Sequence, residues 1–449
     1  MTLPTSFAPR PTRRRLLHAA MLSAGTGALP RPALAQAAAA GAQALQLGPP
    51  ATLTKARLDN LVATWHAAFN AGDVLRPFNP MVQGAGGDVV LRLITTRTTL
   101  PGTGESVPIT GLLAVPAGAQ GRIPVVSWQH GTIFGAESVP SNLTRVIDAD
   151  YVMRDGIDSA ETLFNIQRLA SHGFAVIAAD YVGKGPYGAY RPEAYLVREV
   201  STQTCLDILD AGLAGLGEIG LTPGPLFLNG WSQGALNTQW LAQTLQRDGR
   251  TARGAAASSP FNDLNETLRY WTGNLSYPAS ATPYPAVPDW GTLAMVLMLG
   301  SYQVWYGMGG LIDAAIRTQF RASALTFWNT QAIDIDPAMF PKPDALLAEG
   351  FFDRFTADVV AAFLRRLAAN RATFWDYAAP MRLFYGLADE AIHPVLARQP
   401  LAAGGRRIDG AAVPSGTHRI TFLASLYGSG DEVSGKPDVL EWFRYLMID

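Results

Sequence analysis

Residues 225–236 read Pro225-Leu226-Phe227-Leu228-Asn229-Gly230-Trp231-Ser232-Gln233-Gly234-Ala235-Leu236. A short buried-strand pattern, Pro225 to Leu228, leads into Gly-x-Ser-x-Gly, and Gly234 opens a helical stretch that reaches Gln246. A serine between such a strand and such a helix has the context of a nucleophile elbow, the tight turn that presents a hydroxyl at the end of a parallel sheet. The two glycines have a physical task there, because a strained turn in which strand and helix nearly touch excludes bulky neighbours. Ser232 is the candidate nucleophile. A five-residue match can arise by chance in a chain with 44 glycines, so its flanks and partners must carry the reading.

Upstream of the elbow, strand and helix alternate. Leu58 to Phe69 has helical spacing, and Val89 to Ile94 and Ile109 to Val115 are β-rich runs on either side of the turn Pro101-Gly102-Thr103-Gly104. Pro124 to Trp128 reads as a buried strand, Glu161 to His172 as helix, Phe174 to Ala179 as strand, and Arg198 to Leu216 as helix with Cys205 on its apolar side. This is the pattern of repeated βαβ units, opened by an antiparallel pair. From Asn262 to Tyr377 the alternation breaks into several helices separated by turns such as Tyr277-Pro278 and Tyr284-Pro285. Strand patterns resume at Met381 to Tyr385 and Ala411 to Val413, before a closing helix from Val439 to Met447. The expected class is α/β: a doubly wound, mostly parallel sheet with an inserted helical region. No internal repeat points to a solenoid or propeller.

Composition narrows the function. Of 449 residues 48% are hydrophobic and 16% charged, which excludes disorder for the bulk of the chain. Thirty-five Lys+Arg against 36 Asp+Glu give a net charge of −1, with no basic field for a phosphate backbone, so nucleic acid is not an expected partner. One cysteine cannot form an intramolecular disulfide, and six scattered histidines give no zinc framework, so neither a disulfide scaffold nor a metal is expected.

A serine hydroxyl needs a base, and after an elbow of this kind the acid and histidine follow in the order Ser, Asp, His. Only His393 and His418 lie downstream. His418, in Ser415-Gly416-Thr417-His418-Arg419, follows the last strand among small residues and is the expected base, whereas His393 lies four residues past Asp389, too close to oppose it from a separate loop. Asp389, one short turn beyond a strand, is the expected acid, and its rival Glu390 reads as a solvated surface charge. Acyl transfer also needs donors for the developing oxyanion: Gln233 through its backbone N–H, and either Gly131 or Thr132 from the loop after Trp128. His130 in that loop reads as a hydrogen-bonded structural histidine.

At the other end, Thr12-Arg13-Arg14-Arg15-Leu16-Leu17 precedes a weakly apolar stretch that closes near Ala33-Leu34-Ala35. This is the pattern of a twin-arginine export signal, residues 1–35, and it is too short to span a bilayer, which takes about 20 apolar residues. Residues 36–54, rich in Ala, Gly and Gln, read as a flexible lead-in.

Several of these stretches together resemble a known family. His130-Gly131-Thr132, the run Leu169 to Tyr181 with Gly183 and Gly185, the serine elbow, the long helical insertion, Asp389 and His418 are similar to the α/β-hydrolases of the secretory lipase, or lipase A, type. The resemblance implies an α/β-hydrolase core over residues 55–261 and 378–449, a helical cap over 262–377, and hydrolysis of small-molecule or lipid carboxylic esters without a cofactor. It maps nucleophile, acid and base onto Ser232, Asp389 and His418. Fungal members carry disulfides and an acidic residue in the oxyanion loop, where this chain has a single cysteine and His-Gly-Thr. The insertion is rich in Trp and Met, with no charge from Gly291 to Ile312, and reads as a soluble cap rather than a membrane span. Trp305 and Met308 there, with Trp231 beside the serine, are the expected substrate contacts.

The export reading has a direct check. A fusion of residues 1–40 to a reporter that works only if exported folded should be exported, and Arg13→Lys with Arg14→Lys should abolish this. Export that survives the double change and needs the Sec machinery would replace the twin-arginine route with ordinary secretion.

Overall fold

The computed structural model describes residues 45–279, 283–331, 340–353, 358–403 and 405–448. The expected export signal, residues 1–35, therefore lies outside the described residues. The strands are β1 (Gln46–Leu47), β2 (Ala51–Leu53), β3 (Val89–Thr99), β4 (Ser106–Pro116), β5 (Gly121–Gln129), β6 (Ala175–Ala179), β7 (Leu221–Trp231), β8 (Gly254–Ser258), β9 (Met381–Gly386) and β10 (Ile408–Val413). They form one sheet in the order β1-β3-β4-β6-β5-β7-β8-β9-β10, with β2 also on β3. Pairs among β1 to β4, and β4 with β6, are antiparallel; from β6 to β10 every pair is parallel.

The main helices are α1 (Lys55–Phe69), α2 (Ala160–Arg168), α3 (Arg198–Glu218), α4 (Gln233–Arg247), α5 (Leu264–Trp271), α6 (Trp290–Trp305), α7 (Arg321–Thr330), α8 (Val359–Ala369), α9 (His418–Tyr427) and α10 (Val439–Ile448). Successive strand residues point to opposite faces of the sheet, so the β-branched runs feed two cores at once. Val125, Ile177 and Leu113 join α3 and α4 on one side, with Cys205 buried there. Val126, Val176 and Leu112 join α1, α2, α9 and α10 on the other. The sheet is thus doubly wound and mostly parallel, as the alternation predicts.

Two stretches depart from the sequence reading. Part of the lead-in, residues 36–54, is ordered strand rather than flexible chain. Gln46 and Leu47 pair with Thr95 and Ile94, and Ala51 to Leu53 pair with Leu91 to Val89, burying Leu53 fully. Without them β3 would be a bare edge with unpaired N–H and C=O groups, which explains why a sequence with little strand pattern is recruited there. The strand β8, Gly-Ala-Ala-Ala-Ser, carries no β-branched residue and is invisible to propensity. It is buried throughout, between β7 and β9, where small side chains fit.

Helices α5 to α8 lie in the chain between β8 and β9 and pack into the same core cluster as α3 and α4. The uncharged helix α6 has 16 residues, and no helix among the described residues is long and apolar enough to cross a membrane. Its polar side chains dock it on the core. Ser301 Oγ donates to the Glu193 carbonyl and accepts from the Tyr195 N–H, and Tyr302 donates to the Leu196 carbonyl.

The chain runs from β5 to β6 on one side and then to β7 on the other, so the connections after β5 and β7 diverge and leave a crevice at their carboxyl ends. Closure there is tight. A Cβ on Gly234 would lie 1.9 Å from the Gln129 carbonyl oxygen, backbone against backbone. Gly234→Ala should therefore cost more than the roughly 0.5–3 kcal/mol of most point mutants and drive the chain out of the soluble fraction. Gly217→Ala, inside α3 with open space around its Cβ position, should leave the thermal midpoint unchanged or raise it. Equal melting curves for the two variants would contradict the packing described for Gly234.

Candidate active site

Ser232 stands between β7 and α4 with φ 57° and ψ −121°, outside the regions that L-residues favour. Its backbone is held from both sides, its N–H donating to the Ser258 carbonyl at 2.9 Å and its carbonyl accepting from the Ala235 N–H at 3.0 Å. Gly230 and Gly234 make the turn possible. A Cβ on Gly230 would come within 2.3 Å of the Gly234 carbonyl oxygen and of Thr238 Oγ1.

Asp389 and His418 reach Ser232 from the other end of the chain. Asp389 follows β9 and is fully buried, with Oδ1 accepting from the N–H groups of Ala391 and Ile392 at 3.0 and 2.8 Å. His418 is the first residue of α9, after β10. The two loops touch through glycines: a Cβ on Gly386 would meet the Gly416 carbonyl oxygen at 2.1 Å, and Ala388 donates to that same carbonyl at 3.1 Å.

His418 Nδ1 lies 3.0 and 3.1 Å from the two carboxyl oxygens of Asp389, and its Nε2 lies 2.9 Å from Ser232 Oγ. A carboxylate only accepts, so the proton sits on Nδ1 and Nε2 is the acceptor for the Ser232 hydroxyl. Burial alone would pull the imidazole down, but the charge of Asp389, its hydrogen bond and the charge of Glu390 outweigh burial and hold His418 above its ordinary value, against Arg419. The ring lies between tryptophans, with Trp231 at 5.0 Å and Trp290 at 6.1 Å between centroids.

The three side chains singled out from sequence thus form one hydrogen-bonded row. Other expectations need correction. Glu390 is not a solvated surface charge: its Oε2 accepts the His418 N–H at 2.9 Å, because a helix starting at His418 leaves that donor without an intrahelical partner. Gly131 is not free as an oxyanion donor, because its N–H donates to Glu161 Oε2 at 2.8 Å. Thr132 lines the cavity beside Ser232, while its Oγ1 meets the Tyr195 hydroxyl at 2.9 Å. Gln233 begins α4, where a backbone N–H has no intrahelical acceptor.

His130 is structural. Its ring stacks on Tyr181 at 4.1 Å and Nδ1 donates to the Gly131 carbonyl at 2.8 Å, while burial pushes it down to about 4 and keeps it neutral. His393 sits among Tyr270, Tyr277 and Tyr284, with ring centroids at 5.5, 5.0 and 5.0 Å, and its Nδ1 accepts from the Val395 N–H at 3.3 Å. Tyr284, from the insertion, donates to the Asp389 carbonyl at 2.8 Å. Nothing in the sequence singles out Tyr284 or Glu161, since each acts across a long stretch of chain.

The cavity at Ser232 has a volume of about 450 Å³. Phe69, Phe134, Trp231 and Trp290 give it apolar walls, and Asp155, Glu161, Glu390 and Arg419 give it charge. Trp305 and Met308, expected as substrate contacts, do not line it. The Trp305 indole N–H instead donates to the Glu193 carbonyl at 2.8 Å, and both side chains pack against the core. Among the described residues no group of three or more His, Cys, Asp or Glu side chains is arranged to hold a metal ion.

No family model and no curated protein matches the sequence. Solved structures do. A hydrolase candidate from Legionella pneumophila superposes with a TM-score of 0.68 at 15% identity, over 89% of this chain and 98% of the other. The rice cell wall degrading esterase LipA from Xanthomonas oryzae gives 0.63 at 19% identity, over 81% and 90%. Candida antarctica lipase A in its closed state gives 0.52 at 13% identity, over 74% and 73%. Likeness at these identities is likeness of fold, and the fold of this chain is the α/β-hydrolase fold.

Proposed function

We propose that the chain is an exported serine hydrolase of carboxylic esters. The row Asp389, His418, Ser232, ending on a strained serine that faces a cavity, carries this reading. Ser232 Oγ attacks the ester carbonyl as His418 Nε2 takes its proton. Asp389 keeps the imidazole in the Nδ1–H form and stabilises the imidazolium. The N–H groups of Gln233 and Thr132 stabilise the oxyanion, His418 returns the proton to the departing alkoxide, and water activated by His418 releases the acid. The insertion, residues 262–377, acts as a cap that contributes Trp290 to the cavity wall, and residues 1–35 direct export.

Ser232→Ala and His418→Ala should each lower ester turnover by several orders of magnitude with unchanged thermal melting, and Asp389→Asn should also cost heavily. The base works only when neutral, so turnover should rise with pH through the titration of His418, above its ordinary value near 6.5. Glu390→Gln keeps an oxygen for the His418 N–H but removes a charge that raises this titration, so the acidic limb should move to lower pH with the plateau nearly unchanged. A crippled plateau in Glu390→Gln would transfer the acid's role from Asp389. Paired ester and amide substrates separate this reading from an amidase with the same row.

The cavity walls predict where acyl specificity resides. Each buried methylene is worth up to about 0.8 kcal/mol, about fourfold in kcat/KM. Trp290→Ala should flatten the dependence on acyl length, whereas Trp305→Ala and Met308→Ala should leave it intact. The reverse pattern would return the acyl pocket to the interior of the insertion.

A further inference from the structure

Glu161 occupies the first turn of α2, where a carboxylate ordinarily faces the N–H groups of its own helix. Here its Oε2 reaches across to the Gly131 N–H at 2.8 Å, and the residue is 6% exposed. It shares the cavity wall with Ser232, His418 and Thr132. Gly131 is gripped: a Cβ there would lie 3.1 Å from Glu161 Oε2 on one side and 3.1 Å from the Trp231 ring on the other. The neighbouring groups are also fixed. The His130 carbonyl accepts from the Tyr181 hydroxyl at 3.0 Å, the Gly131 carbonyl accepts from the His130 ring, and Thr132 Oγ1 is held by Tyr195. Glu161 is the ionisable member of this set of tethers that faces the cavity.

We propose that Glu161 is a positioning residue for the oxyanion loop: by holding the Gly131 N–H it withdraws that donor from substrate and aims the next one, on Thr132, to act with Gln233. This rests on the ester-hydrolase reading of the site. Charged groups face the cavity around Glu161 from several elements: His418 and Arg419 from α9, Asp155 and Asp158 from the segment before α2, and Glu390 from the turn after β9. Burial pushes its carboxyl up to about 7, opposed by the Gly131 N–H and by Arg419 and His418. The carboxylate is a stronger acceptor than the neutral acid, so the grip on Gly131 tightens as pH rises through this range. The sign for stability is opposite. With a folded value above the ordinary 4.5, the folded chain holds more protons than the unfolded one in between, and the stability tied to Glu161 falls as pH rises from about 4.5 to about 7.

Turnover of p-nitrophenyl acetate, measured with thermal melting and the amide NMR titration of Gly131, tests the assignment. Glu161→Ala should lower kcat up to about a hundredfold with little change in KM, because a misaimed donor weakens only the transition state. Glu161→Gln retains an acceptor oxygen without ionising. It should recover most of kcat and remove one ionisation between about pH 6 and 8 from the kcat/KM profile, leaving that of His418. In the wild type the Gly131 amide shift should titrate with a midpoint near 7, and in Glu161→Gln it should be flat. A folded Glu161→Ala variant with kcat within about twofold of wild type, a Gln variant with an unchanged pH profile, or a wild-type Gly131 amide that does not titrate would overturn the assignment. If Gly131 titrates as expected and the wild type hydrolyses no ester, the loop tether stands and the ester-hydrolase reading fails instead.

Discussion

The backbone of Ser232 is the constraint on which the site depends. A non-glycine residue at φ 57° and ψ −121° stores on the order of 1–3 kcal/mol and persists only where its surroundings leave no alternative. Here they do so by pairing β7 on both edges, with β5 and β8, and by starting α4 at the next residue. Relaxing the turn would break the bond from Ser232 N–H to the Ser258 carbonyl and separate α4 from the end of β5. The strain is met by the central strands of the sheet, the part of the molecule most able to bear it.

That sheet also makes the long insertion tolerable. Residues from α5 to α8 leave the sheet after β8 and return at β9, yet β9 pairs with β8 in parallel as if the two were consecutive. The acid and base loops meet directly through Gly386 and Gly416. What the insertion adds at the row itself is Trp290 beside His418 and the Tyr284 hydroxyl on the Asp389 carbonyl. It steadies a row that the sheet has already brought together.

Features that depend on local chemistry were legible in the sequence. The elbow, the alternation around it and the order of Asp389 and His418 follow from short motifs and periodicity. Features that depend on long-range fit were not. The strand β8 lacks β-branched residues, and β1 and β2 exist because an edge needed covering. Glu161 looks like an ordinary first-turn acid until its carboxyl is seen on Gly131, 30 positions earlier in the chain. That Trp305 and Met308 lie off the cavity at Ser232 was not legible either, because aromatic and thioether side chains signal burial without saying which cavity, if any, they face.

The separation of Ser232 from His418 along the chain, 186 positions, has a consequence during synthesis. At roughly 5–20 residues per second, the proposed nucleophile leaves the ribosome on the order of ten to forty seconds before its base. Throughout that interval the serine has no imidazole beside it, and a prematurely terminated chain lacking β10 and α9 would keep its serine and never gain reactivity. Under the proposed mechanism ester hydrolysis would thereby begin only once β10 and α9 are made, leaving shorter fragments and growing chains harmless to the esters around them.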